Sequence, residues 1–421
     1  MSTNMKLFEN TEIHILENGI TLIMEHLPHY YTSAISFFLK SGSRDETDYE
    51  SGYSHFVEHM LFKGTLTEGK LSLSEKFDHI GGHVNAYTSQ EEIVIYNLVP
   101  SIHLEESLLL MTDMFNNSIM DQQEINLEKD VIINELNMTN DEPQEKILED
   151  FFQNIFPDSG LGRPIIGSEK TIKTIDSQKL IRFYNNTFSG SNLIISIAGN
   201  CNTDRIKNIV SAIQFRKAKL IHEDIALQTK KQWGFTKMSS ELIHVLSGRV
   251  LYKKDPQFYF RISLLNMILG GSMSSRLFQK IRDNLGLCYT INSDIDHFRN
   301  ETIFSVYYSV MPSKLEKTAK TIQDAINEII VKGITEEELY KVKKQKIGQM
   351  ILSSDQLTKR MNSNLYYNLY YKNAINKNDA IKIIDETNVS DINEIISLLF
   401  STDSYTQLLY KKKPKDALWK L

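Results

Sequence analysis

The chain has 421 residues, which predicts two or three domains at roughly 100–200 residues per domain. Apolar residues make up 41% and charged residues 24%, a balance that excludes a disordered or fibrous chain. A net charge of −6 gives no overall bias toward nucleic acid, and the presence of only two cysteines excludes a disulfide framework and a cysteine-rich zinc module.

Strand-like and helix-like segments alternate through the first half of the chain. Two apolar runs surround Glu17-Asn18-Gly19 and predict a hairpin over residues 12–24. Further strands are expected at residues 33–39, 92–99 and 192–198. Apolar periodicity predicts helices at residues 52–63, 101–116, 124–155 (with an interruption near 140–143) and 177–186.

The sequence becomes polar and weakly periodic after residue 215, and we interpret residues 216–233 as a linker between domains. The same mixture of segments then resumes. Strands are predicted at 242–251 and 301–311, and helices at 258–269, at 313–332 and from 336 onward. We therefore predict an α+β protein of two homologous domains, residues 1–215 and 234–421, each a mostly antiparallel sheet covered by helices.

The location of the protein is predicted from its first residues and its hydropathy. The first twenty residues contain no apolar run of signal-peptide length and lack the Arg- and Ser-rich, acid-poor composition of a mitochondrial transit peptide. No stretch of about 18 uninterrupted apolar residues occurs, so no membrane span is expected. These features predict a cytoplasmic protein, in keeping with the low cysteine content.

The most informative short pattern is His55-Phe56-Val57-Glu58-His59. On a helix, residues separated by three and four positions share one face, so both imidazoles can reach one metal ion with the carboxylate of Glu58 beside them. H-x-x-E-H is the inverted form of the HExxH metalloprotease motif. The alternative is a helix whose two histidines are packed or exposed without a metal.

A catalytic zinc ion needs three protein ligands and one open position, so a third ligand is expected elsewhere. Glu128 and Glu135 lie seven residues apart on one face of a predicted helix that also carries apolar Val131 and Ile132. Both carboxylates are therefore expected to point inward, where a cation would compensate them. We predict that Glu135 is the third ligand and that Glu128 accepts a hydrogen bond from a ligating histidine.

The segment at residues 52–65, which contains this motif, resembles the zinc motif of the pitrilysin/insulinase family. It is most similar to the branch that contains mitochondrial processing peptidase and its bacterial relatives. The distance from His59 to Glu135 matches that family's third ligand, and Glu128 matches its accessory glutamate. Further family motifs occur in the family's order at residues 42–46, 81–88, 162–167, 197–200, 270–278 and 281–289.

The resemblance implies roles that periodicity cannot assign. Asn85 and Ala86 would lie on an edge strand that pairs with an extended peptide. Arg282 and Tyr289 would hold the peptide across the active site. The resemblance also implies one Zn²⁺ per catalytic subunit. Each chain would form half of a clamshell, completed by dimerisation with an identical or a related chain.

Three functions are compatible with these residues. The first is a zinc endopeptidase that acts as a homodimer on unfolded or extended peptides within a closed chamber. The second is the active subunit of a heterodimer that matures one precursor or removes one leader peptide. The third is a non-catalytic structural subunit, which the complete ligand set disfavours.

Overall fold

The computed structural model describes residues 11–218, 231–253, 255–371 and 376–412. These residues form two compact units, and neither unit is continuous in sequence. Unit 1 takes the described residues before 139, those from 163 to 223 and those from 352 to 373. Unit 2 takes the remainder. Within the described residues, no helix is both long and apolar enough to cross a membrane.

The described strands and helices follow one another in an α+β arrangement. The strands are β1 (Thr11–Ile15), β2 (Thr21–His26), β3 (Thr32–Leu39), β4 (His83–Thr88), β5 (Ile93–Pro100), β6 (Leu193–Gly199), β7 (Trp233–Lys237), β8 (Ile243–Leu251), β9 (Thr290–His297), β10 (Thr302–Val310) and β11 (Ser404–Tyr410). The helices are α1 (Tyr53–Met60), α2 (Lys70–His79), α3 (Leu104–Asn117), α4 (Gln122–Asp141), α5 (Pro143–Ile155), α6 (Glu169–Lys173), α7 (Ser177–Thr187), α8 (Thr203–Ala212), α9 (Pro256–Leu269), α10 (Leu315–Lys332), α11 (Glu336–Ser354), α12 (Leu357–Tyr371), α13 (Lys377–Glu386) and α14 (Val389–Phe400).

The described residues of each unit form one sheet, and the two sheets share a topology. Sheet 1 has the order β1-β2-β6-β3-β5-β4, and sheet 2 has the order β7-β11-β8-β10-β9. Without β1, the five strands of each sheet lie side by side in the same order. Numbered along the chain, that order is first, fifth, second, fourth, third. The pairs β2–β6 and β7–β11 are parallel, and all others are antiparallel. The predicted fold class, two mostly antiparallel sheets covered by helices, is confirmed.

Two helices are exchanged between the halves of the sequence. Helix α5 belongs to unit 2, where Ile147, Phe151 and Ile155 repeat every four residues and pack with Leu246 and Leu409 of sheet 2. Helix α12 belongs to unit 1, where the same spacing recurs in its own buried stripe. That stripe consists of Leu357, Met361 and Leu365, and it packs on β2, β3, β5 and β6. Each sheet is thus covered in part by a helix from the other half of the chain.

A buried ion pair fixes α12 on sheet 1. The Arg360 guanidinium donates to the carboxylate of Glu25 on β2 at 2.6 Å, and the Asn364 side chain donates to the second oxygen at 2.7 Å. All three residues are buried. The carboxylate therefore has a partner for each oxygen, which a buried charge requires.

The structure confirms several of the predicted helices and strands, and it also contains elements that the sequence analysis did not predict. The expected interruption near 140–143 is the boundary between α4 and α5, where Pro143 opens the second helix. Helices α2, α6 and α8 and strands β7, β9 and β11 were not predicted. Most of the predicted linker at 216–233 lies outside the described residues, so the division into 1–215 and 234–421 stays a prediction.

Candidate metal centre

Helix α1 carries the histidine motif, and Gly52 is the residue immediately before it. No other residue could replace this glycine without strain. Gly52 has a φ of 92°, and a Cβ there would come within 2.4 Å of the Ile166 carbonyl oxygen. The buried carboxylate of Glu46 accepts hydrogen bonds from the N–H groups of Gly52 (2.9 Å) and Ser54 (2.6 Å). Burial raises the pKa of Glu46 to about 8, although these backbone bonds favour its charged form. The start of α1 is therefore fixed by a nearby carboxylate and by the close approach of the distant residue Ile166.

The structure brings the three predicted metal ligands together. Nε2 of His55 lies 3.6 Å from Oε1 of Glu135, and Nε2 of His59 lies 3.6 Å from Oε2 of the same carboxylate. The three donor atoms lie within 4.8 Å of one another. Both 3.6 Å separations exceed the length of an ordinary N–H···O hydrogen bond. Ligand atoms about 2.0–2.2 Å from a tetrahedral zinc ion are roughly 3.3–3.6 Å apart, so this donor set fits zinc.

Glu128 contacts the imidazole of His59 at Nδ1, the ring nitrogen that does not face Glu135. Nδ1 of His59 lies 2.8 Å from one Glu128 oxygen, and Nζ of Lys63 lies 2.5 Å from the other. Burial alone would raise the pKa of Glu128, but its bonds to His59 and Lys63 outweigh burial and lower that pKa. An ionised carboxylate can only accept, so Nδ1 of His59 carries the hydrogen. Nε2, which faces Glu135, is left as the nitrogen able to bind a metal.

The pKa values of His59 and Glu135 are shifted by the same contacts. Burial opposes protonation of His59, but the hydrogen bond to Glu128 and the negative charges of Glu58 and Glu135 outweigh it and raise the pKa of His59. The interaction with His55 lowers the pKa of Glu135. A cation at this position would meet the carboxylate of Glu135 and would bind the neutral form of His59.

Glu135 is less buried than the sequence suggested. Its side chain is 42% exposed, whereas Glu128 is buried beside Ile132. The expectation that Val131 shares the buried face was wrong, because that side chain is 51% exposed. At 100° per residue, Ile132 lies on the inner side of Glu128 and Val131 on the outer side. The helix thus directs Glu135 along the boundary between core and solvent, where a ligand can reach it.

Glu58 lies on the same face of α1 and contacts strand β4. Its Oε2 accepts a hydrogen bond from the Thr88 hydroxyl at 2.7 Å, and the side chain is largely buried. Asn85 and Ala86 lie on the same strand, and the Asn85 side chain accepts a hydrogen bond from the Ala86 N–H at 2.8 Å. Among the described strands, β4 pairs with β5 alone, so its other side is an open sheet edge.

Arg282 and Tyr289 lie together in unit 2. The Arg282 guanidinium is 5.5 Å from the centre of the Tyr289 ring and 4.6 Å from that of Phe278. Residues Phe278–Asn284 form a π-helical segment, and Tyr289 is 78% exposed. Exposed phenol and guanidinium groups can bind a peptide backbone, which is the role that the resemblance implies.

Three residues around the centre were not assigned by sequence reasoning: Glu46, Lys63 and Thr88. Lys63 lies four residues after His59, so helical spacing could have placed it beside Glu128. Glu46 and Thr88 belong to motifs that were recognised, but nothing in the sequence shows which groups they contact. Their roles depend on tertiary structure.

The sequence and fold have clear relatives. The sequence model described as insulinase (peptidase family M16) matches residues 21–169, and the model described as peptidase M16 inactive domain matches residues 174–346. An uncharacterized zinc protease of Rickettsia felis is 31% identical over 397 residues, which cover 94% of this chain and 96% of that protein. The uncharacterized zinc protease YmxG of Bacillus subtilis is 30% identical, with 92% of this chain and 95% of that protein covered.

A solved structure shows the same fold. The crystal structure of a protease from Helicobacter pylori aligns with a TM-score of 0.89 at 20% identity, covering 96% of this chain and all of that one. A two-unit α+β fold with an inverted histidine motif defines the class of the molecule. The chain belongs to the insulinase family, peptidase family M16.

Proposed function

We propose that this protein is a zinc-dependent endopeptidase that cleaves unfolded or extended peptides. One observation supports this most strongly. The donor atoms of His55, His59 and Glu135 lie close enough together to bind one zinc ion. Glu58, on the same face of α1 as the two histidines, contacts the open edge strand β4. Relatives of nearly the same length are named zinc proteases. A metal site and a peptide-binding edge would thus lie in one unit.

The ligand set would be His55, His59 and Glu135, with Glu128 fixing the tautomer of His59. Zinc, when bound, supplies Lewis acidity that makes water nucleophilic near neutral pH and polarises a carbonyl. Glu58 takes the proton of the attacking water and passes it to the leaving amine. The Thr88 hydroxyl, bonded to Oε2, orients the Glu58 carboxylate for this transfer.

The substrate would be held as an extended strand. Asn85 and Ala86 lie on β4, whose open edge offers backbone groups to a peptide regardless of its sequence. The resemblance implies that Arg282 and Tyr289 would supply further donors to the backbone of a bound peptide. We propose that two chains close a chamber around the peptide. Either the partner is identical, or this chain is the active member of a heterodimer that processes a specific precursor.

The test is peptide cleavage by the purified chain, followed by mass spectrometry, beside Glu58→Gln and His59→Ala variants. We expect zinc-dependent cleavage by the wild type. Glu58→Gln should keep its zinc and lose about 10²–10⁴-fold in turnover, because it cannot accept a proton. His59→Ala should lose both zinc and turnover.

Each result separates the alternatives. Wild-type cleavage by the Gln variant would contradict the assignment of Glu58 as the base. A zinc-loaded wild type that cleaves nothing alone would favour the heterodimer. Failure to bind zinc at all would contradict the metal centre itself.

A further inference from the structure

Two tyrosine hydroxyls converge on one glutamate behind the edge strand β4. The Tyr366 hydroxyl of α12 donates to Oε1 of Glu92 at 2.8 Å, and the Tyr87 hydroxyl of β4 approaches the same oxygen at 3.3 Å. The two hydroxyl oxygens are 3.4 Å apart. Burial raises the pKa of Glu92 more strongly than the two hydroxyl bonds lower it. We call Tyr87, Glu92 and Tyr366 the tyrosine–glutamate group.

This group lies on the face of β4 opposite the metal centre. Consecutive side chains of a strand point to opposite faces, so Tyr87 and Thr88 face different surroundings. Thr88 donates to Glu58, whereas Tyr87 packs with Tyr366 in the apolar cluster that includes Phe38. The Tyr366 ring also stands edge-on to Phe38, with ring centres 6.2 Å apart. Adjacent residues of one strand are therefore held by α12 on one side and by α1 on the other.

An edge strand needs such support more than a central strand does. In the part of the chain that the structure describes, β4 has a backbone ladder to β5 alone. Edge strands open locally at lower cost than strands paired on both sides. A slip of one residue would move Thr88 away from Glu58 and present the wrong backbone groups to a peptide. Glu92 directly precedes β5, so the group fastens β4, the hairpin end and α12 at one point.

We propose that Tyr366 is a positioning residue for peptide binding: through Glu92 and Tyr87 it holds the edge strand β4 in the register that receives the substrate. This inference rests on the proposed function, since it assumes that β4 binds the peptide. It assigns a role at the site to a helix from the second half of the chain. Tyr366 belongs to none of the recognised motifs.

The first test is Tyr366→Phe, which keeps the ring against Phe38 and removes only the hydroxyl. Tyr340→Phe, which removes an exposed phenol hydroxyl on α11 and keeps the ring beside Lys344, is the matched control. Amide hydrogen exchange of the full chain should be about five- to tenfold faster in β4 for Tyr366→Phe, and unchanged in α1. KM for an extended peptide should rise about three- to tenfold, while kcat and zinc content stay within twofold. The control should match the wild type in every measurement.

A second variant, Glu92→Gln, tests whether Tyr366 acts on β4 through Glu92. If Tyr366 acts through Glu92, the double variant should be no worse than the worse single variant. Independent additive effects, or a change in kcat without one in KM, would overturn the proposal. So would unchanged exchange in β4.

Failure of the proposed function is recognised separately. If peptides are cleaved but a bound peptide does not slow amide exchange in β4 of the zinc-loaded Glu58→Gln variant, the peptide-binding role of β4 is wrong. The inference then fails with it, whatever the exchange rates of Tyr366→Phe show. If peptides are cleaved and Tyr366→Phe has wild-type KM, only the inference fails.

Discussion

The Glu128 carboxylate carries two cationic or donating partners, one on each oxygen. A glutamine there has the same shape but only one accepting oxygen and no charge. It can accept from His59 or from Lys63 and must turn a donor toward the other. The imidazole would lose part of its orientation and basicity without losing a ligand atom.

We expect Glu128→Gln to lower the affinity for zinc about 10–100-fold, which is typical for loss of a group that orients a metal ligand. The measurement is competition against a chromophoric chelator. Glu124→Gln, one turn earlier on α4 and paired with Lys70, is the matched control and should leave the affinity unchanged. Equal affinities for both variants would show that Glu128 does not tune the metal centre.

At the scale of the element, α12 depends on the buried ion pair between Arg360 and Glu25. Arg360→Met should destabilise the fold by about 3–5 kcal/mol, because it removes the cationic partner of the buried Glu25 carboxylate. Urea denaturation gives the difference. The control is Arg205→Met, which removes the exposed pair with Glu105 and should cost about 0–1 kcal/mol. Similar losses for the two variants would refute the special role of the buried pair.

Strand β9 should make stability depend on pH. Burial, assisted by the charge of Asp294, raises the pKa of Asp296 to about 6 from an ordinary 3.8. The folded chain therefore holds this proton more tightly than the unfolded chain. The stability that the proton provides is present below about pH 4 and is lost as the pH rises through about 6.

Asp296→Asn should consequently raise the free energy of unfolding by about 2–3 kcal/mol at pH 8 and have little effect at pH 4. Burial lowers the pKa of neighbouring His297 to about 4, which gives the opposite slope, but that slope is common to both proteins and cancels in the difference. Urea titrations of both proteins at the two pH values measure the difference in free energy of unfolding. An equal gain in stability at both pH values would contradict the raised pKa of Asp296.

The sequence predicted the elements whose periodicity or turn residues are strong. The Glu17-Asn18-Gly19 hairpin, helix α1 and the break at Pro143 all follow from local chemistry, and the helical spacing of His55, Glu58 and His59 placed them on one face. Helical spacing could not decide how far Glu135 is exposed, since that depends on what covers α4. Nor could local pattern show that α5 and α12 leave their own halves, because an apolar stripe does not specify which sheet will bury it.

For the whole molecule, the exchange of α12 means that a cut at the predicted linker removes part of unit 1. Residues 1–218 lack the stripe of Leu357, Met361 and Leu365, which packs on sheet 1. We expect this fragment to show no cooperative thermal transition by circular dichroism, because one apolar face of the sheet meets water. The same fragment joined to residues 352–371 through a Gly/Ser linker should regain the transition. Cooperative melting by 1–218 alone would contradict this account.

The position of α12 in the sequence also sets an order of events on the ribosome. Roughly 140 residues separate Ile213, just after α8, from Leu357, where α12 begins. At about 5–20 residues per second, their synthesis takes roughly 7–30 s. Sheet 1 therefore waits uncovered on one face until most of the chain has emerged. During this interval the apolar face of sheet 1 is exposed to solvent, a state in which partly folded chains are prone to associate with one another.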